Sequence, residues 1–427
     1  MNMSLFFRIA ARGLSARGGA LPFRGLALLA AAVFLALGCG PAMADTAEPQ
    51  APAKAEAQAD AGQPSARSNT LADIFKSGSL DEVTKILAMG ADLNQIDGTD
   101  GLTPLMLAAA GNPDENVIKL LIERGADLNA AENNYGLTAL MMSVTFNVPS
   151  VSSALVKAGA DVNRQDKSGG TALYHAATNN ANPVMAALLI EAKADLELAD
   201  KDGRTPLMQA AAVGNVRALQ LLLRSGAKLD QTDKKGRAPL AIAAAESMNP
   251  LVIEALAKAG AKLEAKDTEG RTAFLAAAAH NPAPLVLEEL RDSGADIAAV
   301  DKTGADALIL ASLSNPNPEV IRFLLGLGAD VNERRPNGLT PVLAAAGNPE
   351  ARVMQTLLLA GADAKVKTGQ GISALTLALT SNPSDDVVKA LFNAGAEAEA
   401  KSSAAPSPLE TAKKIRPELA DFFLKSR

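Results

Sequence analysis

The chain has 427 residues, 48% of them apolar but only 3% aromatic, with no tryptophan and a single cysteine. That composition lacks the bulky side chains of a large globular core and suits thin layers of small ones. Acidic residues outnumber basic ones, 47 to 41, which argues against nucleic acid or an anionic membrane as a general partner, and two histidines with one cysteine leave zinc, haem and Cys-His chemistry without their usual ligands.

The first 44 residues read as an export signal. Arg8, Arg12, Arg17 and Arg24 give an acid-free positive start, and the apolar run from Leu26 to Leu37 is too short to remain as a membrane anchor. Two processing sites compete after it. Ala42-Met43-Ala44 fits a signal-peptidase site, and Leu37-Gly38-Cys39 resembles the site of a bacterial lipoprotein, which would place lipid on Cys39, although Ala36 and Leu37 depart from that pattern. Cleavage at the first site implies a periplasmic protein; lipid attachment implies an envelope anchor. In either case the mature chain forms no internal disulfide. Without the four signal arginines, 37 basic residues face 47 acidic ones and the formal charge falls from -6 to -10. Residues 45–69 are rich in Ala, Pro, Gln and Glu and carry too little apolar surface to fold, so they read as a linker.

From residue 70 to 427 the chain is periodic. A Gly-Ala-Asp tripeptide or close variant begins at Gly90, Gly125, Gly159, Lys193, Gly226, Gly260, Gly294, Gly328, Gly361 and Gly395, in steps of 33 to 35 residues. Such a period marks a stack of one supersecondary unit. About 13 residues after each lies a second block, as in Thr103-Pro104-Leu105-Met106, Thr138-Ala139-Leu140-Met141 and Thr205-Pro206-Leu207-Met208. Thr caps a helix start and Pro fits its first turn, so the block opens a short, alanine-rich first helix. Asn-Pro follows at Asn112, Asn182, Asn249, Asn281, Asn315, Asn348 and Asn382, where Asn is expected to cap and Pro to begin a second helix. That helix carries apolar residues at helical spacing, such as Val117, Ile118, Leu121 and Ile122, and ends at the next glycine. The polar segment before the following Thr-Pro block, as in Ala199-Asp200-Lys201-Asp202-Gly203, reads as a projecting hairpin-like finger.

These motifs, G-x-T-P-L-x-x-A-A, a leucine-rich second helix and Gly-Ala-Asp-x-Asn, resemble the ankyrin repeat family over residues 70–427. The resemblance implies an all-α solenoid of about 11 helix-turn-helix units and a non-catalytic scaffold that binds another protein through its fingers and first-helix ends. It implies no cofactor. Where the family usually has His after Thr-Pro-Leu, this chain has Met106, Met141, Tyr174, Met208, Ala241, Leu275, Ile309, Leu343 and Thr376. The first and last units carry charged residues suited to capping a stack.

Within that frame the candidate partner-binding residues lie on the middle fingers. Arg204, Arg237 and Arg271 precede the first helix in three successive units, and Lys201, Lys234 and Lys235 share those fingers, so repeats in register would form a basic strip. The competing reading is that Asp200, Asp202, Asp233, Asp267 and Glu269 neutralise it. Tyr135 and Tyr174 are the candidate aromatic anchors, while Phe146 reads as core. The recurrent Asp92, Asp127, Asp161, Asp195, Asp296, Asp330 and Asp363, one per unit, suit backbone hydrogen bonding rather than a calcium loop. A monomeric, exported bacterial scaffold is expected; a secreted effector acting on host proteins is the alternative.

Overall fold

A computed structural model describes residues 70–94, 101–178, 183–382, 384–399 and 406–425. The export signal over residues 1–44, Cys39 and the linker over residues 45–69 lie outside the described residues. The compact unit spans Leu71–Arg427.

Twenty-two helices, in pairs, make up the described residues. The first pairs are α1 (Leu71–Ser77) with α2 (Leu80–Ala88), α3 (Pro104–Gly111) with α4 (Glu115–Glu123), α5 (Ala139–Phe146) with α6 (Pro149–Lys157), and α7 (Ala172–Thr178) with α8 (Pro183–Glu191). The middle pairs are α9 (Pro206–Val213) with α10 (Val216–Arg224), α11 (Pro239–Glu246) with α12 (Pro250–Lys258), α13 (Ala273–His280) with α14 (Pro284–Asp292), and α15 (Ala307–Ser314) with α16 (Pro318–Gly326). The last are α17 (Pro341–Ala345) with α18 (Ala351–Leu359), α19 (Ala374–Ser381) with α20 (Asp385–Asn393), and α21 (Pro408–Ile415) with α22 (Pro417–Lys425). Eleven pairs are the number the period implies. First helices pack on neighbouring first helices, as in α9, α11, α13 and α15, and second helices pack along a parallel row. The result is an all-α solenoid.

The Thr block opens the first helices as expected. Thr103, Thr138, Thr171, Thr205, Thr272 and Thr340 accept the amide three residues ahead, Ser373, Ser407 and Asp306 do the same, and Ala238 offers no such oxygen. A first helix lies between two others and over its own second helix, so it is buried nearly all round: Phe274, Leu275, Ala277, Ala278 and Ala279 of α13 are at most 1% exposed. Alanine permits that close approach. Second helices bury one stripe, as Ala218, Leu219 and Leu222 of α10.

The second helices end at the recurrent glycine, whose φ is near +92° in most units. Lys193 takes this place after α8 with φ 64°, the one non-glycine residue in left-handed backbone among the described residues.

Asn-Pro does not generally start the second helix. Asn249-Pro250 caps and opens one, as does the additional pair Asn317-Pro318; at Asn112, Asn281, Asn315 and Asn382 the Asn ends the first helix, Asn348 lies two residues past the C-cap Ala346, and the N-cap is Asp114, Ala283, Asn317, Ser384 or Glu350 further on. The amide side chain is used across repeats instead. Asn281 Nδ2 donates to Ala244 O and Ser247 O at 2.8 and 2.6 Å, Asn315 Nδ2 to Ala278 O and Asn281 O at 2.8 and 2.9 Å, and Asn348 Nδ2 to Ser312 O and Asn315 O at 3.0 Å each. Asn112, Asn147, Asn215, Asn249 and Asn382 also reach back to carbonyls of the preceding repeat. The positions where the family carries His are filled by buried side chains, Met106 to Thr376, so buried asparagine supplies the polar bond between layers.

Candidate protein-binding surface

The fingers are built by their own acids. Asp166, Asp200, Asp233, Asp267 and Asp301 each accept, on one carboxylate oxygen, the amides two and four residues ahead, which closes the turn at the finger tip. In the finger that carries Tyr135, Glu132 closes the turn by accepting the amides of Asn134, Tyr135 and Leu137 on its two oxygens. Neighbouring fingers are joined by backbone: Lys167 N donates to Tyr135 O and Lys201 N to Ser168 O at 2.7 Å, Lys234 N to Asp202 O and Thr268 N to Lys235 O at 2.9 Å, and Lys302 N to Glu269 O at 3.0 Å. The glycines at these tips permit the approach. A Cβ on Gly169, whose φ is +88°, would lie 2.9 Å from Asp200 Cα and Lys201 N. The described residues contain no β-strand, so the fingers are turn ladders.

The three arginines do not form an outward strip. Arg204 is 7% exposed and donates from Nη1 and Nη2 to both carboxylate oxygens of Glu246, at 3.0 and 2.6 Å. Arg237 Nη1 donates to the same Glu246 at 2.9 Å while its Nε and Nη2 reach Asp233. Arg271 is held by Asp267 and Glu269. Burial opposes the charge on Arg204, but the Glu246 hydrogen bond and charge outweigh it and hold its pKa above the usual guanidinium value. Neutralisation, the competing expectation, holds for the arginines, yet the acid that secures Arg204 is Glu246 at the end of α11 rather than a finger residue. These arginines brace the fingers.

Tyr174 is likewise turned inward and does not present an anchor. It is 2% exposed, and its hydroxyl donates to Asp200 Oδ2 at 2.8 Å and lies 3.1 Å from Gln209 Oε1. Burial, then the charge of Asp200, pushes its phenol far above the ordinary range. The physical reason is register: Tyr174 stands where Met106, Met141 and Met208 fill the layer. Phe146 is half-buried against the core, as expected.

What remains on the outside is Lys201, Lys234 and Lys235, all exposed, with Tyr135 at the tip of an earlier finger, 46% exposed. The structure brings the three lysines together on adjacent fingers and places Tyr135 two fingers before Lys201.

The histidines are separately engaged. His175 Nε2 pairs with Asp166 Oδ2 at 2.8 Å, and although burial pushes that carboxyl up, the hydrogen bonds from His175 and Ser168 hold it below its usual value. His280 faces Arg271 Nη1 at 3.4 Å; burial, then the charge of Arg271, depresses its pKa. The recurrent loop Asp residues bond to backbone, as Asp127 to Asn129 N and Asp330 to Asn332 N at 2.9 Å, and among the described residues no group of His, Cys, Asp and Glu is arranged to hold a metal. No helix among them is long and apolar enough to cross a membrane.

The family model for ankyrin repeats in three copies matches in overlapping windows, residues 71–166, 147–233, 207–301, 240–335 and 308–402. A search among curated proteins returns no match. With the matched span covering most of the sequence and the helix pairs in the same register, the chain belongs to the ankyrin-repeat family, whose repeats mediate binding to other proteins.

Proposed function

We propose that the protein is a non-catalytic, monomeric scaffold of the bacterial periplasm or cell envelope that holds a partner protein along its finger tips and the adjoining concave face. The observation that carries this reading is the set Lys201, Lys234 and Lys235, exposed on adjacent fingers whose spacing is fixed by backbone hydrogen bonds. A row of charges carried on backbone at set intervals is suited to recognition, because the fingers themselves need no reordering on binding. Each histidine is engaged by a neighbouring side chain, His175 by Asp166 and His280 by Arg271. Export rests on the charged start, the apolar run and the Ala42-Met43-Ala44 site, with lipid on Cys39 as the other form of envelope attachment.

The test is affinity capture from a native envelope extract, with the wild-type chain and a K201E/K234E/K235E variant as baits. A stoichiometric partner that is retained by the first and lost by the second supports the scaffold and its site. Equal capture by both moves the site away from the tips. Absence of any partner overturns the envelope reading in favour of a secreted effector.

A further inference from the structure

The middle fingers contain nearly balanced acid and base in sequence, but the fold sorts them by side. The acids at the turn, Asp166, Asp200, Asp233 and Asp267, spend carboxylate oxygens on their own backbone, and Asp233, Glu246, Asp267 and Glu269 are also engaged by Arg204, Arg237 and Arg271. Exposed on these fingers are Lys201, Lys234 and Lys235 in the tip turns and Lys266 just before the next turn, with Asp202 and the Arg271-paired Glu269 as the exposed acids of those turns. Among the described residues no ion pair engages those four lysines. A finger region that is neutral on paper therefore presents a positive edge on a chain of net negative charge.

Spacing selects the partner. Packed helix layers lie about 8–10 Å apart, and a segment extended as a polyproline II helix advances about 3.1 Å per residue with three residues per turn, so every third side chain points the same way and meets a new finger along the stack. Carboxylates on one face of a helix recur about every 5–6 Å, so only every second one would come near a finger. A polyanionic strand with a charge about every 3.4 Å is more closely spaced still, and is repelled by the rest of an acidic chain. We infer that the finger tips bear an extended acidic segment of a partner protein, with carboxylates at every third residue facing Lys201, the Lys234-Lys235 pair and Lys266. This rests on the scaffold reading and specifies its partner.

The experiment titrates the purified full chain with fluorescent twelve-residue peptides of one composition. One carries glutamate at every third position, the other its four glutamates in a block, with glycine and serine elsewhere; inorganic polyphosphate serves as a polyanion of close charge spacing. The spaced peptide is expected to bind about tenfold more tightly than the blocked one, and K201E/K234E/K235E to lower its affinity by about tenfold or more with an unchanged circular dichroism spectrum. Equal affinity for the two peptides, tighter binding of polyphosphate, or indifference to the triple substitution would overturn the inference. A chain that ignores every peptide yet retains a stoichiometric envelope partner overturns the acidic-segment assignment and leaves the scaffold standing.

Discussion

Removing the carboxylate of Glu246, at the end of α11, should damage the middle of the stack by releasing two finger arginines at once. In Glu246→Ala, Arg204 loses two charge-assisted hydrogen bonds, at 3.0 and 2.6 Å, while Arg237 loses one at 2.9 Å and keeps Asp233. The Arg204 side chain is 9% exposed and Glu246 20% exposed, so water replaces the lost carboxylate poorly. Breaking a buried pair from one side costs about 3–5 kcal/mol, and the partial exposure of Glu246 points to the lower end, about 3 kcal/mol. The double variant Arg204→Leu/Glu246→Leu removes both charges and should cost clearly less than the sum of the two single leucine variants, because no charge is left unpaired. Urea unfolding followed by far-UV circular dichroism, with amide exchange to locate the opening, measures all of these. A loss below about 1 kcal/mol in Glu246→Ala, or strict additivity in the cycle, would refute the claim that this network braces the fingers. Charge reversal at Arg204 or Arg237 is expected to break the same network and to lower stability.

Three further outcomes follow from the geometry. Lys193→Gly should stabilise the stack by about 1 kcal/mol, since Lys193 holds φ 64° where nearly every other unit has glycine, and an unchanged urea midpoint would argue against strain there. Asn281→Ala should cost about 2–4 kcal/mol, because it strands the buried carbonyls of Ala244 and Ser247 as well as the amide of Ala283, and exchange of the α11–α13 layer should accelerate. His280 has a folded pKa below its ordinary 6.5, owing first to burial and then to Arg271. Between the two pKa values the unfolded chain binds a proton the folded chain does not, so stability is full above about pH 6.5 and declines as pH falls below it. His280→Gln should flatten that decline in pH-dependent melting, and an identical pH profile would contradict the assignment.

Most of the fold was legible because a solenoid writes its contacts at a fixed period. The glycine stops, the threonine caps and the acid-closed finger turns are all local and recur in register, and the loop Asp residues bond to backbone as their one-per-unit spacing implied. What escaped was aperiodic. Glu246 reaches Arg204 across 42 positions and Arg237 across nine, from a helix end that carries Val213 or His280 in adjacent units, so no repeat pattern marks it. Tyr174 could have been recognised, because its alignment with Met106, Met141 and Met208 assigns it to the core. The asparagine ladder was visible as a recurrent residue, but its direction was not: the Asn-Pro pair suggests a helix start, whereas burial between layers makes the amide more valuable to the carbonyls of the repeat before it. The sorting of lysines from aspartates at the tips depends on which carboxylates the backbone claims, and only coordinates display that.

The central claim is that the partner lies on the basic finger tips. Quantitative lysine modification of the full chain, alone and saturated with its captured partner, tests it residue by residue. The account expects protection of Lys201, Lys234, Lys235 and Lys266, with Lys119 on α4 and Lys389 on α20 still modified at their free rates. Protection confined to Lys119, Lys389 and other second-helix lysines, with the finger lysines unchanged, would contradict it.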